Sequence, residues 1–105
     1  MEGIAGLQQV TVLNLANNAI TELPIALKEL SQLKVLILSK NPLQEIPSWL
    51  GELTQLEELH LEQTQLTTLP ESIGQLTQLT VLGLKKNPFE TLPKIMGKIP
   101  KRVLD

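Results

Sequence analysis

Three side chains near the centre of the chain are of types that could carry out acid–base chemistry. Glu58, His60 and Glu62 alternate along one short segment, and His60 is the only histidine. Such a group could move a proton or contribute ligands to a metal ion. A metal site would need further His or Cys ligands, and a catalyst would need a pocket that excludes water. The sequence indicates neither, so we expect no metal, no cofactor and no catalytic residue.

Other residues that commonly carry chemistry are missing from the 105 residues. The chain has no Cys and no Tyr, which excludes disulfides, thiolate metal sites and a cysteine nucleophile. It also has no Gly-rich loop of the kind that binds phosphates. We therefore expect a protein that is not an enzyme, and the lack of cysteine favours a reducing compartment such as the cytoplasm.

Charge and hydropathy exclude two classes of partner. A formal net charge of -2 provides no basic field to attract phosphates, so nucleic acid is not expected as a partner. No stretch approaches the roughly 20 apolar residues that span a bilayer. The first residues also lack the basic start and apolar run of an export signal. We expect no membrane association and a cytoplasmic location.

The apolar residues follow a repeat of 23 residues. Four leucines lie at equal steps: Leu15, Leu38, Leu61 and Leu84. Aligned on this step, four units cover residues 10–32, 33–55, 56–78 and 79–101. Positions 1, 4, 6, 11, 14, 18 and 21 of the unit are apolar in every copy. Units of this kind bury their apolar side chains by stacking on one another, which predicts one continuous core.

Each unit contains features of a strand and of a short helix. The Leu-x-Leu at positions 4 and 6 alternates as a strand does, so the flanking side chains point to the opposite, concave face. A proline recurs at position 15, as Pro24, Pro47, Pro70 and Pro93. Proline fits the start of a helix, where no amide donor is needed. The units therefore predict a parallel sheet on one side and short helices or 3-10 turns on the other.

An asparagine recurs at position 9, as Asn18, Asn41 and Asn87. An amide can donate and accept hydrogen bonds, so it can satisfy turn backbone that faces inward without water. These residues predict a structural asparagine ladder. The third unit has Thr64 at this position. A hydroxyl has fewer donors, so we expect a looser turn there.

Over residues 10 to about 99 the pattern LxxLxLxxNxLxxLPxxIGxLxx resembles the leucine-rich-repeat family. The segments LPESIGQL and IPSWLGEL are similar to the 23-residue type found in Ras-associated scaffolds, Roco GTPases and bacterial repeat proteins. The resemblance implies an α/β solenoid with a curved parallel β-sheet on the concave side and short helices or 3-10 turns on the convex side. It also implies a binding role without catalytic residues, and it leaves the partner open because the family binds many unrelated proteins.

The two ends differ from the full units. Residues 1–9 read as the helical half of a repeat, with Ile4 and Leu7 at positions 18 and 21, so we expect an N-terminal half-repeat cap. Residues 102–105 are expected to form a C-terminal tail. No polar helix covers either sheet edge in the sequence, and uncovered edges favour strand pairing with another chain. We therefore expect a monomer or a weak homo-oligomer that associates through these edges.

The candidate binding residues lie where side chains project from the strand face. They are Val12, Asn14, Val35, Ile37, Lys40, Glu58, His60, Glu62, Val81 and Lys85. Neighbouring exposed aliphatic groups favour an interface with a protein or peptide, with the charges orienting the partner. The alternative interpretation is that strand positions simply favour β-branched residues. For His60 the alternatives are an ordinary polar contact and a pH-sensitive one.

Trp49 lies at position 17, on the convex side. It either packs between neighbouring helices or anchors a second partner there.

Three hypotheses about function remain. The first is a non-catalytic interaction module with its partner on the strand face. The second is a regulatory or recognition segment of a multidomain signalling protein, such as a GTPase or kinase. The third is a structural protein that associates with itself.

Overall fold

The computed structural model describes residues 9–89, which form four parallel strands alternating with 3-10 helices. The strands are β1 (Val12–Asn14), β2 (Val35–Ile37), β3 (Glu58–His60) and β4 (Val81–Gly83). The 3-10 helices are η1 (Ile25–Glu29), η2 (Ser48–Glu52) and η3 (Glu71–Gln75). This architecture confirms the predicted α/β solenoid. The half-repeat expected at residues 1–9, apart from its last residue, and the tail expected at 102–105 lie outside the described residues, as does the helical half of the fourth unit.

The 23-residue step sets the register of the sheet. The strands lie in the order β1-β2-β3-β4, and each residue pairs with the one 23 positions later, as in Leu13 with Leu36 and Leu36 with Leu59. Backbone hydrogen bonds continue beyond the strands, for example from Asn17 N to Ser39 O at 2.9 Å. Positions 3 to 8 of neighbouring units are therefore held side by side.

The core consists of the apolar columns of the repeat. In the two central units these side chains are almost completely buried, and the fully buried set includes Leu33, Leu36, Leu38, Leu50, Leu53, Leu56, Leu59, Leu61, Leu66 and Ile73. Their equivalents at the ends of the described range, such as Leu13 and Leu84, are only partly buried against the same core. Full burial of one leucine side chain contributes about 1.5–3 kcal/mol. Among residues 9–89, the central units therefore contain most of the stabilising burial.

Proline starts each 3-10 helix. Pro24, Pro47 and Pro70 have extended backbone, with ψ of 134, 147 and 148°. The carbonyl of each accepts a hydrogen bond from the residue three positions later, as from Leu50 N to Pro47 O at 3.1 Å. This turn directs the leucine or isoleucine at position 18 into the core, where Leu27, Leu50 and Ile73 are buried.

The spacing between successive 3-10 helices is not uniform. Gly51 lies so close to η3 that a Cβ on it would overlap the carbonyl oxygen of Ser72. The Ser72 hydroxyl in turn donates a hydrogen bond of 2.7 Å to Ser48 O. Between η1 and η2 the corresponding pair is Lys28 and Trp49, two large side chains, and these two helices approach each other less closely. Helix spacing thus follows the size of the side chains at positions 19 and 17.

Asn41 joins two turns through its buried amide. Its Nδ2 donates to Leu38 O in its own unit and to Leu15 O in the preceding unit, both at 2.9 Å. Its Oδ1 accepts from the backbone of Asn18 at 2.8 Å and of Ile20 at 3.0 Å. One side chain therefore satisfies four backbone groups that face inward.

Asn87 makes the same set of bonds two units later. Its Nδ2 donates to Leu84 O at 3.0 Å and Leu61 O at 2.9 Å. Its Oδ1 accepts from the backbone of Thr64 and Leu66. Asn18 differs, because its amide donates within its own unit only, to the carbonyls of Leu15 and Ala16.

Two kinds of turn alternate along the array. In the first and third units, position 10 has a left-handed backbone, with φ of 55° at Ala19 and 62° at Gln65. In the second and fourth units proline occupies this position, and the next amide donates back to the asparagine carbonyl, as from Leu43 N to Asn41 O at 2.8 Å. Proline cannot adopt the left-handed conformation, so the turn takes another form.

Thr64 fits this alternation. It is fully buried, and its hydroxyl donates to Leu61 O at 2.7 Å. Positive φ values at Gln63 and Gln65 match those at Asn17 and Ala19 in the first unit. The third turn therefore has the same backbone conformation as the first at these two positions, while the Thr64 hydroxyl bonds Leu61 O and Asn87 Oδ1 and so lacks the bonds to the preceding turn that Asn41 makes. The looser turn expected from the sequence stays a prediction.

Replacing Leu59 by Ala is expected to lower the free energy of unfolding by about 2–5 kcal/mol, because it leaves a cavity in the central unit. Urea denaturation followed by Trp49 fluorescence and circular dichroism measures the change. Val12→Ala is the control, since Val12 is 58% exposed and its truncation should change stability by less than about 0.5 kcal/mol. Both probes should report one transition, and separate transitions would contradict a single shared core.

Replacing Asn41 by Ala is expected to cost about 2–4 kcal/mol, because it leaves inward-facing backbone donors and acceptors without partners. Asn18→Ala removes the same amide where it bonds only within its own exposed turn, and should cost about 1 kcal/mol or less. Urea denaturation of the two variants measures the difference. Equal losses would show that the bonds between units contribute little.

Candidate functional site

The outward side chains of the sheet form two rows that run across the four strands. Position 3 gives the row Val12, Val35, Glu58 and Val81, and position 5 gives the row Asn14, Ile37, His60 and Gly83. Adjacent strands lie about 4.8 Å apart, so neighbours within a row are close enough to act on one partner. We call this surface, together with positions 7 and 8 beyond the strand ends, the strand face. It contains all ten binding residues predicted from the sequence.

The aliphatic part of the strand face is concentrated on β1 and β2. Val12 is 58% exposed, and Val35 and Ile37 are half-buried. Val81 is half-buried as well, but Glu58 separates it from Val35 in the row. Three of the four aliphatic residues therefore form one patch, and Val81 lies apart from them. The sequence positions alone had suggested a single patch of four.

A polar network occupies the centre of the strand face. His60 Nε2 lies 3.0 Å from Glu58 Oε1, and His60 Nδ1 lies 3.7 Å from Glu62 Oε2. The Ser39 hydroxyl donates a hydrogen bond of 2.8 Å to Glu62 Oε1. The side chains of His60 and Glu62 are only 22% and 26% exposed, whereas that of Glu58 is 42% exposed. Glu62 is thus held against the sheet from two sides.

The geometry of this network does not resemble a nucleophile with its base. The Ser39 hydroxyl donates to a carboxylate, and the imidazole contacts are with the two glutamates. A serine nucleophile would instead donate to the imidazole. Across residues 9–89, no group of three or more His, Cys, Asp or Glu side chains is arranged to hold a metal ion.

Gly83 makes room for the Glu62 carboxylate. Gly83 is buried, and a Cβ on it would overlap Glu62 Oε2. Its backbone φ is not positive, so the conformational freedom of glycine is not what this position requires. The sequence placed Gly83 in the column of His60, but its role and that of Ser39 were missed. The sequence did contain one indication of this contact: Gly83, which has no side chain, follows in the unit after Glu62, whose side chain is long enough to reach the neighbouring strand.

The predicted lysines of the strand face lie past the strand ends. Lys40 is exposed and has a left-handed backbone with φ of 62°, and its amide donates to Glu62 O at 2.9 Å. The same conformation occurs at Asn17, Gln63 and Lys86, the other residues at position 8. Lys85 is exposed at position 7 of the fourth unit, one unit beyond Glu62. Charged groups therefore border the strand face on the side where the strands end.

Trp49 lies away from the strand face. It is half-buried and packs against the core from η2, and it also lines an open groove of about 960 Å³ between the first and second units. Both interpretations of Trp49 remain open, because it packs against the core and also contributes to a surface that a partner could reach. No helix in the described part of the chain is long and apolar enough to cross a membrane.

Comparison with known proteins identifies the repeat. A family model described as "Leucine rich repeat" matches residues 33–89, and one described as "Leucine Rich repeats (2 copies)" matches residues 8–52. An internalin from Listeria monocytogenes is similar in structure, with a TM-score of 0.77 and 33% identity over 100% of this chain and 30% of its own. A leucine-rich-repeat protein of Leptospira interrogans has a TM-score of 0.73 and 24% identity over 100% of this chain and 33% of its own. The chain therefore spans about a third of the length of these two proteins. A search of curated proteins gives no significant match.

Two glycine substitutions should separate backbone packing from side-chain packing. Gly51→Ala is expected to cost about 1–3 kcal/mol or more, because the new methyl group overlaps backbone of η3 that cannot move freely. Gly83→Ala should cost less than about 1 kcal/mol, because the overlapping group is the end of a flexible glutamate that can turn away. Thermal unfolding of both variants measures the difference, and a larger loss for Gly83→Ala would show that the Glu62 network stabilises the fold.

Proposed function

Since the chain belongs to the leucine-rich-repeat family, we propose that it is a non-catalytic module that binds a protein or peptide on its strand face. The aliphatic patch formed by the exposed Val12 and the half-buried Val35 and Ile37 is the observation that carries this proposal. These side chains point away from the core, so packing does not require them to be apolar. Burial of such a patch by a partner is favourable at about 25 cal/mol for each square ångström.

The polar network beside the patch supports a specific partner over a generic apolar one. Glu58 and Glu62 are held in place by His60 and Ser39, so their carboxylates are already oriented before a partner arrives. Groups that are ordered in advance lose less entropy on binding. A partner would then place apolar side chains on β1 and β2, and donors of hydrogen bonds over β3.

The size of the strand face sets the kind of contact. Four strands at about 4.8 Å spacing and six positions at about 3.3 Å rise give roughly 400 Å² of surface. A stable protein complex buries about 800 Å² on each partner. The strand face alone therefore suits a short peptide segment, or one part of a larger interface. We expect the interaction to be weak, with a dissociation constant in the micromolar range or above.

A second candidate function is that of a recognition segment within a longer signalling protein, such as a GTPase or kinase. The chain covers 30% and 33% of the two similar proteins, and this supports the part of the candidate in which the units belong to a longer repeat protein. The strand face would then be continued by further units. Reading the coding sequence beyond both ends of the chain tests this candidate, and a catalytic domain in the same reading frame would establish it. The compartment we propose for the module is the cytoplasm, a reducing compartment that suits a chain without disulfides.

Affinity capture from the source cell tests the strand face. The wild type should retain a partner that a Val35→Glu/Ile37→Lys variant loses, because charges replace two apolar side chains of the patch. Capture is measured by quantitative mass spectrometry of the bound proteins, and we expect at least a tenfold loss.

The matched control is Thr54→Glu/Gln55→Lys, which introduces the same two charges at exposed positions away from the strands. It should capture the partner as well as the wild type does. Circular dichroism should show that both variants are folded. Equal capture by the wild type and the Val35→Glu/Ile37→Lys variant would remove the strand face as the binding site.

A further inference from the structure

We propose that the groove beside Trp49 is a second docking site, separate from the strand face, for an extended segment of a partner protein in which a large apolar side chain lies next to Lys or Arg. The groove lies between residues 21–25 of the first unit and 43–49 of the second, and its volume is about 960 Å³. This inference does not depend on the strand face having a partner.

The groove lies beside the wider of the two spacings between 3-10 helices, and Trp49 is the large side chain of η2 that lines it. Where Gly51 meets Ser72, the backbones of η2 and η3 come into contact, and these two helices lie closer together than η1 and η2 do. Lys28 and Trp49 occupy the corresponding positions one unit earlier. Lys28 cannot allow the same approach, and its Nζ instead lies 3.8 Å from Glu52 Oε1. Position 17 is the small Ala26 or Ser72 in the neighbouring units, so the Trp49 side of this groove is particular to the second unit.

Apolar side chains line one end of the groove. Ile25 is 66% exposed, and with Val12 it is one of the two large exposed hydrophobic residues among those described. Trp49, Pro24 and Pro47 lie in the same groove. Position 16 is Ser48 in the second unit and Glu71 in the third, so the repeat does not require an isoleucine there. Ile25 and Trp49 provide the contact for the apolar side chain of the partner.

The charges that line the groove are all negative. Among its described lining residues the charged ones are Glu22 and Glu45, and both are exposed. Position 13 of the third unit is Thr68, so the carboxylates are not a feature of every repeat. Two carboxylates without a lysine or arginine in the same groove complement a cationic side chain and disfavour a phosphate or an acidic segment. This charge pattern selects a basic partner segment.

The groove continues along the array, which favours an extended segment over a single side chain. A second depression of about 600 Å³ is lined by Gln44, Glu45, Gln65, Thr67, Thr68 and Pro88. It shares Gln44 and Glu45 with the first. Its threonine and glutamine side chains can hydrogen-bond the backbone of an extended peptide. The apolar anchor would bind near Trp49, with the basic residue at Glu45 and the following residues toward Pro88.

An array of random octapeptides, probed with the labelled wild-type chain, tests the chemistry of this partner. We expect the bound peptides to be enriched in an aromatic or branched aliphatic residue within two positions of Lys or Arg. Enrichment of acidic peptides, or no binding above background, would overturn the proposal.

The location is tested with the peptide that binds best on the array, by fluorescence anisotropy. Glu22→Thr/Glu45→Thr is expected to weaken binding about tenfold, and Ile25→Ser at least fivefold. Each replacement introduces the residue found at an equivalent position, Thr68 or Ser48, so the fold should be retained. Raising the salt concentration from 50 to 500 mM should weaken binding to the wild type and leave binding to the double glutamate variant nearly unchanged.

The control is the Val35→Glu/Ile37→Lys variant, which should bind the peptide as the wild type does. If this variant alone loses binding, the peptide lies on the strand face and the groove proposal fails while the proposed function stands. Sedimentation equilibrium gives the other alternative: a dimer that Ile25→Ser abolishes would mean that a second copy of the chain occupies the groove, which would also overturn the proposal.

Discussion

No single unit of this chain can bury its own leucines, and this constraint governs the rest of the structure. A turn of 23 residues with one three-residue strand has two open sides, so its apolar columns are covered only when neighbouring turns stack on it. Burial is complete for Leu36 and Leu59 in the central units and partial for Leu13 near one end of the described range. Stacking in turn requires an identical step in each unit, because a shift of one residue would move the leucines to the strand face.

Stacking also places polar backbone groups in the interior at the turns, and the asparagine side-chain amides provide hydrogen-bond partners for these groups. Asn41 and Asn87 join their own turn to the preceding one, so the hydrogen bonds and the leucine core hold the same pairs of units together. Positions of the unit that contribute neither to the leucine core nor to the asparagine hydrogen bonds are free to vary. The strand face is built from such positions, whereas the groove beside Trp49 combines them with core residues such as Leu23, Leu43 and Ile46.

The fold could be predicted from the sequence because it depends on spacing. The apolar columns, the parallel register and the proline that starts each 3-10 helix all follow from the 23-residue step. The contacts that could not be predicted depend on pairs of side chains in different units. Ser39 donates to a Glu62 carboxylate for which Gly83 leaves room, and Trp49 lines a groove together with residues 21–25 of the preceding unit. The left-handed backbone at Lys40 was also missed, since a glycine is the usual indication and the sequence has none there.

The alternation of the two turn types has a consequence for how such an array can grow. The Oδ1 of Asn41 accepts two amides from a preceding turn without proline, whereas in a proline turn one of those amides already donates locally. If a single proline-containing unit were copied in tandem, its asparagine would lie against another proline turn. The buried asparagine Oδ1 would then lose one of its two amide donors, which would lower the free energy of unfolding by about 1–3 kcal/mol. Duplication of residues 33–78, which combine a proline-containing unit with the Thr64 unit, would place each copy of Asn41 after a turn without proline. An array of this kind would therefore grow by duplication of two adjacent units, even though its structural repeat is a single unit.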